Sequence, residues 1–281
     1  IQAQNDMQPK AGPAPTINIG KPQSFELTNG LKVMVVENHK LPRVSFNLTI
    51  DNAPYSEGNK AGVSSLTSML IGSGSEKISK DTFNEEVDFL GADISFSNSG
   101  AYANGLSKYS KRILELMAEG ALHTNFTQAE FDKQKAKLLE GLKATEKSVP
   151  SVSRRVENAL AYGKSHPFGE FITEASINNI TLDDVILNFN TYFVPENAYL
   201  VIVGDVNYEE IKAHVTTLFE SWLKAAAPNL TYTNPKDVQY TQINFVDMPN
   251  AVQSEIAVMN LSSLKMTDKD YFAVIVANQI L

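Results

Sequence analysis

The chain has 281 residues, with 24 Lys and Arg against 32 Asp and Glu, a formal net charge of −8. An acidic chain lacks the clustered cations that phosphate neutralisation requires, so nucleic acid is excluded as a partner class. Its 43% hydrophobic and 20% charged residues are those of a globular protein with a sizeable core. No apolar run is long enough for a membrane span, and the absence of Cys excludes disulfides, thiolate zinc sites and cysteine nucleophiles.

Residues 1–22 are polar and rich in Pro and Gly and are expected to be a flexible lead-in. The opening Ile1-Gln2-Ala3-Gln4 carries neither an initiator Met nor a signal peptide's apolar core. It fits the tail left by cleavage at a small residue, and a periplasmic or otherwise exported location is favoured over a trimmed cytoplasmic chain.

Phe25 to Glu37 predicts a hairpin turning at Asn29-Gly30. Val44 to Ile50 alternates as a half-buried strand does, and Asn59 to Leu70 switches to helical spacing. Asp81 is the expected N-cap of the next helix. Ala92 to Ser97 and Tyr102 to Ser107 form a second strand pair around Asn98-Ser99-Gly100. Ser110 to Leu122 is an amphipathic helix. Thr127 to about Glu146 is a longer one with a Thr127/Glu130 capping box, broken by Pro150 and resumed over Ser151 to Tyr162. Thr181 caps a helix with Asp183 and Asp184 in its first turn. Ala198 to Val203 is a buried strand, and Tyr208 to Trp222 a final amphipathic helix. The order, strands then helices then strand then helix, indicates an α+β fold: a two-layer arrangement of a mostly antiparallel sheet packed with helices.

Ala225 to Pro235 has the composition of a linker. Beyond it, Ile243 to Met259 repeats the strand–turn–strand rhythm of Val33 to Thr49, and Tyr271 to Leu281 repeats the apolar helix of Ala61 to Ile71, at an offset of about 210 residues. The expected domains are 23–224, one complete repeat, and 236–281, the start of a second. The chain is therefore expected to be a fragment of a longer protein.

Three stretches carry a resemblance to the pitrilysin/insulinase-type zinc peptidases, in particular their mitochondrial-processing-peptidase-like branch. Leu27-Thr28-Asn29-Gly30-Leu31-Lys32-Val33 resembles the opening hairpin. His166-Pro167-Phe168-Gly169 followed by Ser176 to Thr181 resembles the mid-domain loop and helix. Tyr192 to Ala198 running into Val201 to Val206 is similar to the most recognisable strand. The resemblance implies zinc held by an H-x-x-E-H helix, whose Glu activates the metal-bound water, and by a Glu on a later helix. Here Ser64 and Ser68 stand at the His positions, Thr67 at the Glu, and Gly141, beside Glu140, at the distal ligand. Neutral hydroxyls are poor zinc ligands, and Thr is no carboxylate base. No catalytic or metal-binding residue and no cofactor are therefore expected; zinc belongs to the family pattern only.

None of His39, His123, His166 and His214 lies close enough in sequence to another to rebuild a site. Glu85/Glu86 and Glu209/Glu210 are adjacent pairs with the look of solvated faces. Gly72-Ser73-Gly74-Ser75 lacks the Lys of a phosphate loop, and Ser64, Ser65 and Ser68 lack an activating base.

The resemblance implies a catalytically inactive, peptide-binding subunit that pairs with an active zinc-peptidase homologue as a heterodimer. Peptide would add a strand to the edge formed by Ala92, Asp93, Ile94, Ser95, Phe96 and Ser97. Two alternatives stand beside it: an active zinc-dependent endopeptidase with an unaligned metal site, and a stand-alone peptide- or ligand-binding module.

Overall fold

A computed structural model describes residues 12–13, 22–249 and 251–280. Most of the expected lead-in, and the last residue of the expected C-terminal helix, lie outside them. Six strands form one sheet: β1 (Gln23–Glu26), β2 (Lys32–Glu37), β3 (Arg43–Ile50), β4 (Asp93–Ser97), β5 (Gly100–Leu106) and β6 (Ala198–Gly204). Their order is β1-β2-β6-β3-β5-β4; the β2–β6 pair is parallel and the others antiparallel. The α+β architecture with a mostly antiparallel sheet is as the sequence pattern indicates.

The helices are α1 (Val63–Leu70), α2 (Lys80–Leu90), α3 (Ser110–Leu122), α4 (Gln128–Thr145), α5 (Val149–Tyr162), α6 (Glu174–Asn178), α7 (Leu182–Tyr192), α8 (Tyr208–Phe219) and α9 (Tyr271–Ile280). The alternation along β3 sends Val44, Phe46, Leu48 and Ile50 inward, where they meet Ile113, Leu114 and Met117 of α3 and Val215 and Phe219 of α8 in one apolar cluster. A second cluster joins Val63, Leu66 and Leu70 of α1 to Phe131 of α4 and Val185 of α7. It suspends α1 between two helices, beside the edge strand β4.

Four local expectations need correction. Ser79, not Asp81, caps α2, its hydroxyl accepting from the Thr82 amide at 3.2 Å; Asp81 lies inside the first turn. Pro150 does not break a helix but sits in the first turn of α5, where a missing N–H costs nothing. At Thr127 the hydroxyl accepts from the Glu130 amide, but the Glu130 carboxylate turns to Lys80 and Gln134, so the box is only half formed. No strand forms over Ile243 to Met259 among the described residues; Ile243, Phe245, Val252, Ile256 and Val258 are exposed, because an apolar alternation makes a strand only when another strand accepts its hydrogen bonds. Helix α9 does form and is likewise exposed. Among the described residues no helix is long and apolar enough to cross a membrane.

Candidate functional site

Helix α1 begins at Gly62, whose φ of +107° suits glycine alone. The Glu57 carboxylate supplies the missing cap, accepting from the amides of Gly62 at 2.5 Å and Ser64 at 3.0 Å. Glu170 in turn accepts from the amides of Glu57 at 2.7 Å and Gly58 at 2.6 Å, tying this entry loop to the loop after α5. One face of α1 is apolar and buried in the second cluster; the other carries Ser64, Thr67 and Ser68.

Each of these hydroxyls is engaged. Ser64 Oγ lies 2.7 Å from the Tyr55 hydroxyl, which accepts from Asn188 Nδ2 at 3.0 Å. Asn188 Oδ1 is 3.1 Å from Thr67 Oγ1, whose single proton is shared with the Val63 carbonyl at 2.9 Å. Thr67 is 1% exposed and Asn188 7%. Ser68 Oγ donates to Asn98 Oδ1 at 2.7 Å and accepts from the Asn98 amide at 2.9 Å, so it pins the β4–β5 turn. The Tyr55 ring stacks on Tyr192 at 3.9 Å and 6°. Burial pushes both phenols above their ordinary pKa. At Tyr55 the bonds to Ser64 and Asn188 oppose that shift and Glu57 adds to it; at Tyr192 the neighbouring Tyr55 and Glu57 add to it. Both rings therefore stay protonated and neutral.

The sequence reading singles out the α1 hydroxyls, names Asn98 only as a turn residue and Tyr192 only as the start of a family-like stretch, and misses Tyr55 and Asn188; these four complete the network from loops and from α7. Gly141 lies on α4, three residues past Leu138, which packs on the α1 cluster. A Cβ there would meet nothing within 4 Å, and nothing joins Gly141 to the α1 hydroxyls. A zinc centre needs imidazole or carboxylate donors directed at one point. The α1 face offers neutral hydroxyls already spent on amides, a backbone carbonyl and a phenol, and this donor set does not fit the metal. Among the described residues no group of three or more His, Asp or Glu side chains is placed to hold a metal ion.

Strand β4 is the sheet edge beyond β5, so one side of its backbone has no strand partner. Asp93 and Ser95 are exposed, whereas Ala92, Ile94 and Phe96 pack inward on the main core. The candidate peptide edge thus presents backbone and small polar side chains, not its apolar ones.

Two sequence models match this chain: the insulinase (peptidase family M16) model over residues 32–167 and the peptidase M16 inactive domain model over 179–281. The chain belongs to the M16 peptidase family. It is 24% identical over 210 residues to the mitochondrial-processing peptidase subunit beta of Rattus norvegicus, covering 72% of this chain and 42% of that one. It is 21% identical over 195 residues to the uncharacterized zinc protease YmxG of Bacillus subtilis (strain 168), covering 67% and 47%. This M16 chain thus spans about half the length of the curated relatives it matches. Among solved structures, a peptidase M16 inactive domain from Pseudomonas fluorescens superposes with a TM-score of 0.68 at 22% identity, covering 77% of this chain and 54% of that one. The periplasmic protease PqqL of Escherichia coli superposes with a TM-score of 0.64 at 16% identity, covering 79% and 26%. At these identities the structural likeness speaks for the fold.

Proposed function

We propose that this M16 homologue is catalytically inactive and serves as a non-catalytic, peptide-binding subunit beside a zinc-bearing homologue. The observation that carries the proposal is the closed network of Ser64, Tyr55, Asn188 and Thr67 on α1. Its groups are neutral and hydrogen-bonded to one another, Thr67 and Asn188 buried and Ser64 and Tyr55 half-buried, and none is a base or an anionic ligand. The free edge of β4 beside α1 suits strand addition, in which main-chain hydrogen bonds supply the affinity. The similarity to a protein described as a peptidase subunit supports pairing, and the likeness to a periplasmic protease supports export.

Elemental analysis after dialysis should find far less than one zinc per chain. Mixing the protein with a homologue that retains H-x-x-E-H should give a co-eluting complex with peptide cleavage above that of the homologue alone. The triple substitution Ser64→His, Thr67→Glu, Ser68→His in this chain should add little. A tightly held zinc removed only by a chelator, or a homologue fully active alone that never co-elutes, refutes the proposal.

A further inference from the structure

His166 is 6% exposed, and its Nε2 is one of two buried side-chain polar atoms without a partner among the described residues. The Phe168 amide donates to Nδ1 at 3.1 Å, so in the neutral ring the proton sits on Nε2, a buried donor that nothing accepts. The ring is set among aromatics: Tyr162 at 5.1 Å, Phe168 at 5.5 Å and Tyr232 at 4.6 Å, the last edge-on. His166 also lines a cleft of about 670 Å³ between the loop before α1, the loop after α5 and the connector from Leu230 to Lys236. That volume is in the range of small-molecule sites. No Asp or Glu lines this cleft; Lys236 is its one charged residue, and Ser56, Ser165, Thr231 and Thr233 add hydroxyls.

An aromatic wall, an unspent N–H donor and a cation with no anion beside it in the cleft lining are complementary to a carboxylate carried on an aromatic or apolar group. We propose that the cleft binds such a carboxylate, one oxygen accepting from His166 Nε2 and the charge pairing with Lys236. Tyr232, 42% exposed on a connector without secondary structure, is the ring that swings aside to admit it. The same chemistry is offered by the C-terminal carboxylate of a peptide and by a free aromatic acid.

Calorimetric titration of the full chain with N-acetylphenylalanine, N-acetylphenylalaninamide and benzoate tests this. N-acetylphenylalanine should bind at least tenfold more tightly than the uncharged amide. His166→Phe should weaken it tenfold or more, and Lys236→Met, at an exposed position that leaves folding intact, about fivefold. In the native sequence, nitrogen-15 NMR of histidine should show the His166 Nε2 signal moving on saturation. Benzoate binding as tightly as N-acetylphenylalanine assigns the site to free acids, and weaker benzoate binding assigns it to chain termini. Equal affinity for acid and amide, an unmoved Nε2 signal at saturation, or no binding of any probe overturns the proposal. None of these variants touches Ser64, Thr67 or Ser68, so failure here leaves the inactive-subunit proposal standing on its own test.

Discussion

The edge strand β4 owes its position to one ring in a notch made by two glycines. A Cβ built on Gly120 of α3 would stand 2.4 Å from Phe96 Cζ and 3.0 Å from Cε1, and one on Gly72 2.1 Å from Cδ2. Gly120 has ordinary helical dihedrals, so Gly120→Ala isolates the contact from backbone strain. Alanine gains about 1 kcal/mol of helix preference over glycine. Against that, forcing a methyl into a filled core costs about 1–3 kcal/mol, and the gap here is small enough to place the cost near the top of that range. The net expectation is a loss of about 1–2 kcal/mol. Phe96→Ala alone should cost about 2–3 kcal/mol, below a fully buried phenylalanine because the ring is half-buried. In the double variant the methyl enters the vacated space and the helix gain is recovered, so the loss falls to about 1–2 kcal/mol. The two changes should therefore couple by about 2 kcal/mol, read from urea midpoints at a common slope. Additivity within about 0.5 kcal/mol, or a Gly120→Ala protein more stable than the parent, would refute the notch.

Two further expectations concern polar groups. Asn188→Ala removes a buried amide that bonds both Tyr55 and Thr67, and should cost about 2–3 kcal/mol in thermal or urea unfolding; Tyr55→Phe should cost less in that background than in the parent, because only its bond to Ser64 is left to lose. Arg112 donates to Glu86 at 2.5 and 2.7 Å, and these bonds hold the Glu86 carboxyl below the usual carboxylate range. A carboxyl with a depressed folded pKa stabilises the protein above its unfolded value of about 4.3, and the gain is lost as pH falls through the folded value. The stability difference between the parent and Glu86→Gln, held to about 1 kcal/mol or less because the pair is partly exposed, should be full at neutral pH and vanish in acid. A difference that grows on acidification contradicts the assignment.

The strands and long helices were legible because their signals are local. Alternation in β3 and helical spacing in α3 each report a buried face, and Thr181 caps α7 as expected, with Asp184 bonding back to its amide, a reciprocal cap in a residue that the sequence reading places only as a dipole-facing carboxylate. Where two local signals compete, tertiary structure decides. Ser79 and Asp81 are both good caps, and only the chain's entry angle picks the serine. Asn29-Gly30 signals a turn, yet the Asn29 side chain is also buried and donates to the carbonyls of Phe219 at 2.7 Å and Trp222 at 3.0 Å, closing the end of α8. The network around α1 was half legible for the same reason. Ser64, Thr67 and Ser68 share one helix and one spacing, but Tyr55, Asn98 and Asn188 come to them across separations of 9, 30 and 121 residues that carry no periodicity.

The network also bears on what restoring the family residues would do. Short hydroxyls let Tyr55 and Asn98 close to within 2.7 Å of the helix. An imidazole at position 64 or 68 occupies the space those partners fill and leaves their polar atoms to find others, each at a cost of about 1–3 kcal/mol if buried. A carboxylate at position 67, where Thr67 is 1% exposed against Asn188, would enter a buried niche with an amide but no cation in the hydrogen-bonded network. Burial would favour its protonated form, which is the wrong one for a general base. The position of Gly141 faces open space and adds no third ligand. Under the proposed alignment, installing H-x-x-E-H on α1 would therefore take more than three isolated substitutions: the neighbours that bond Ser64, Thr67 and Ser68 would have to be displaced before a metal could be held.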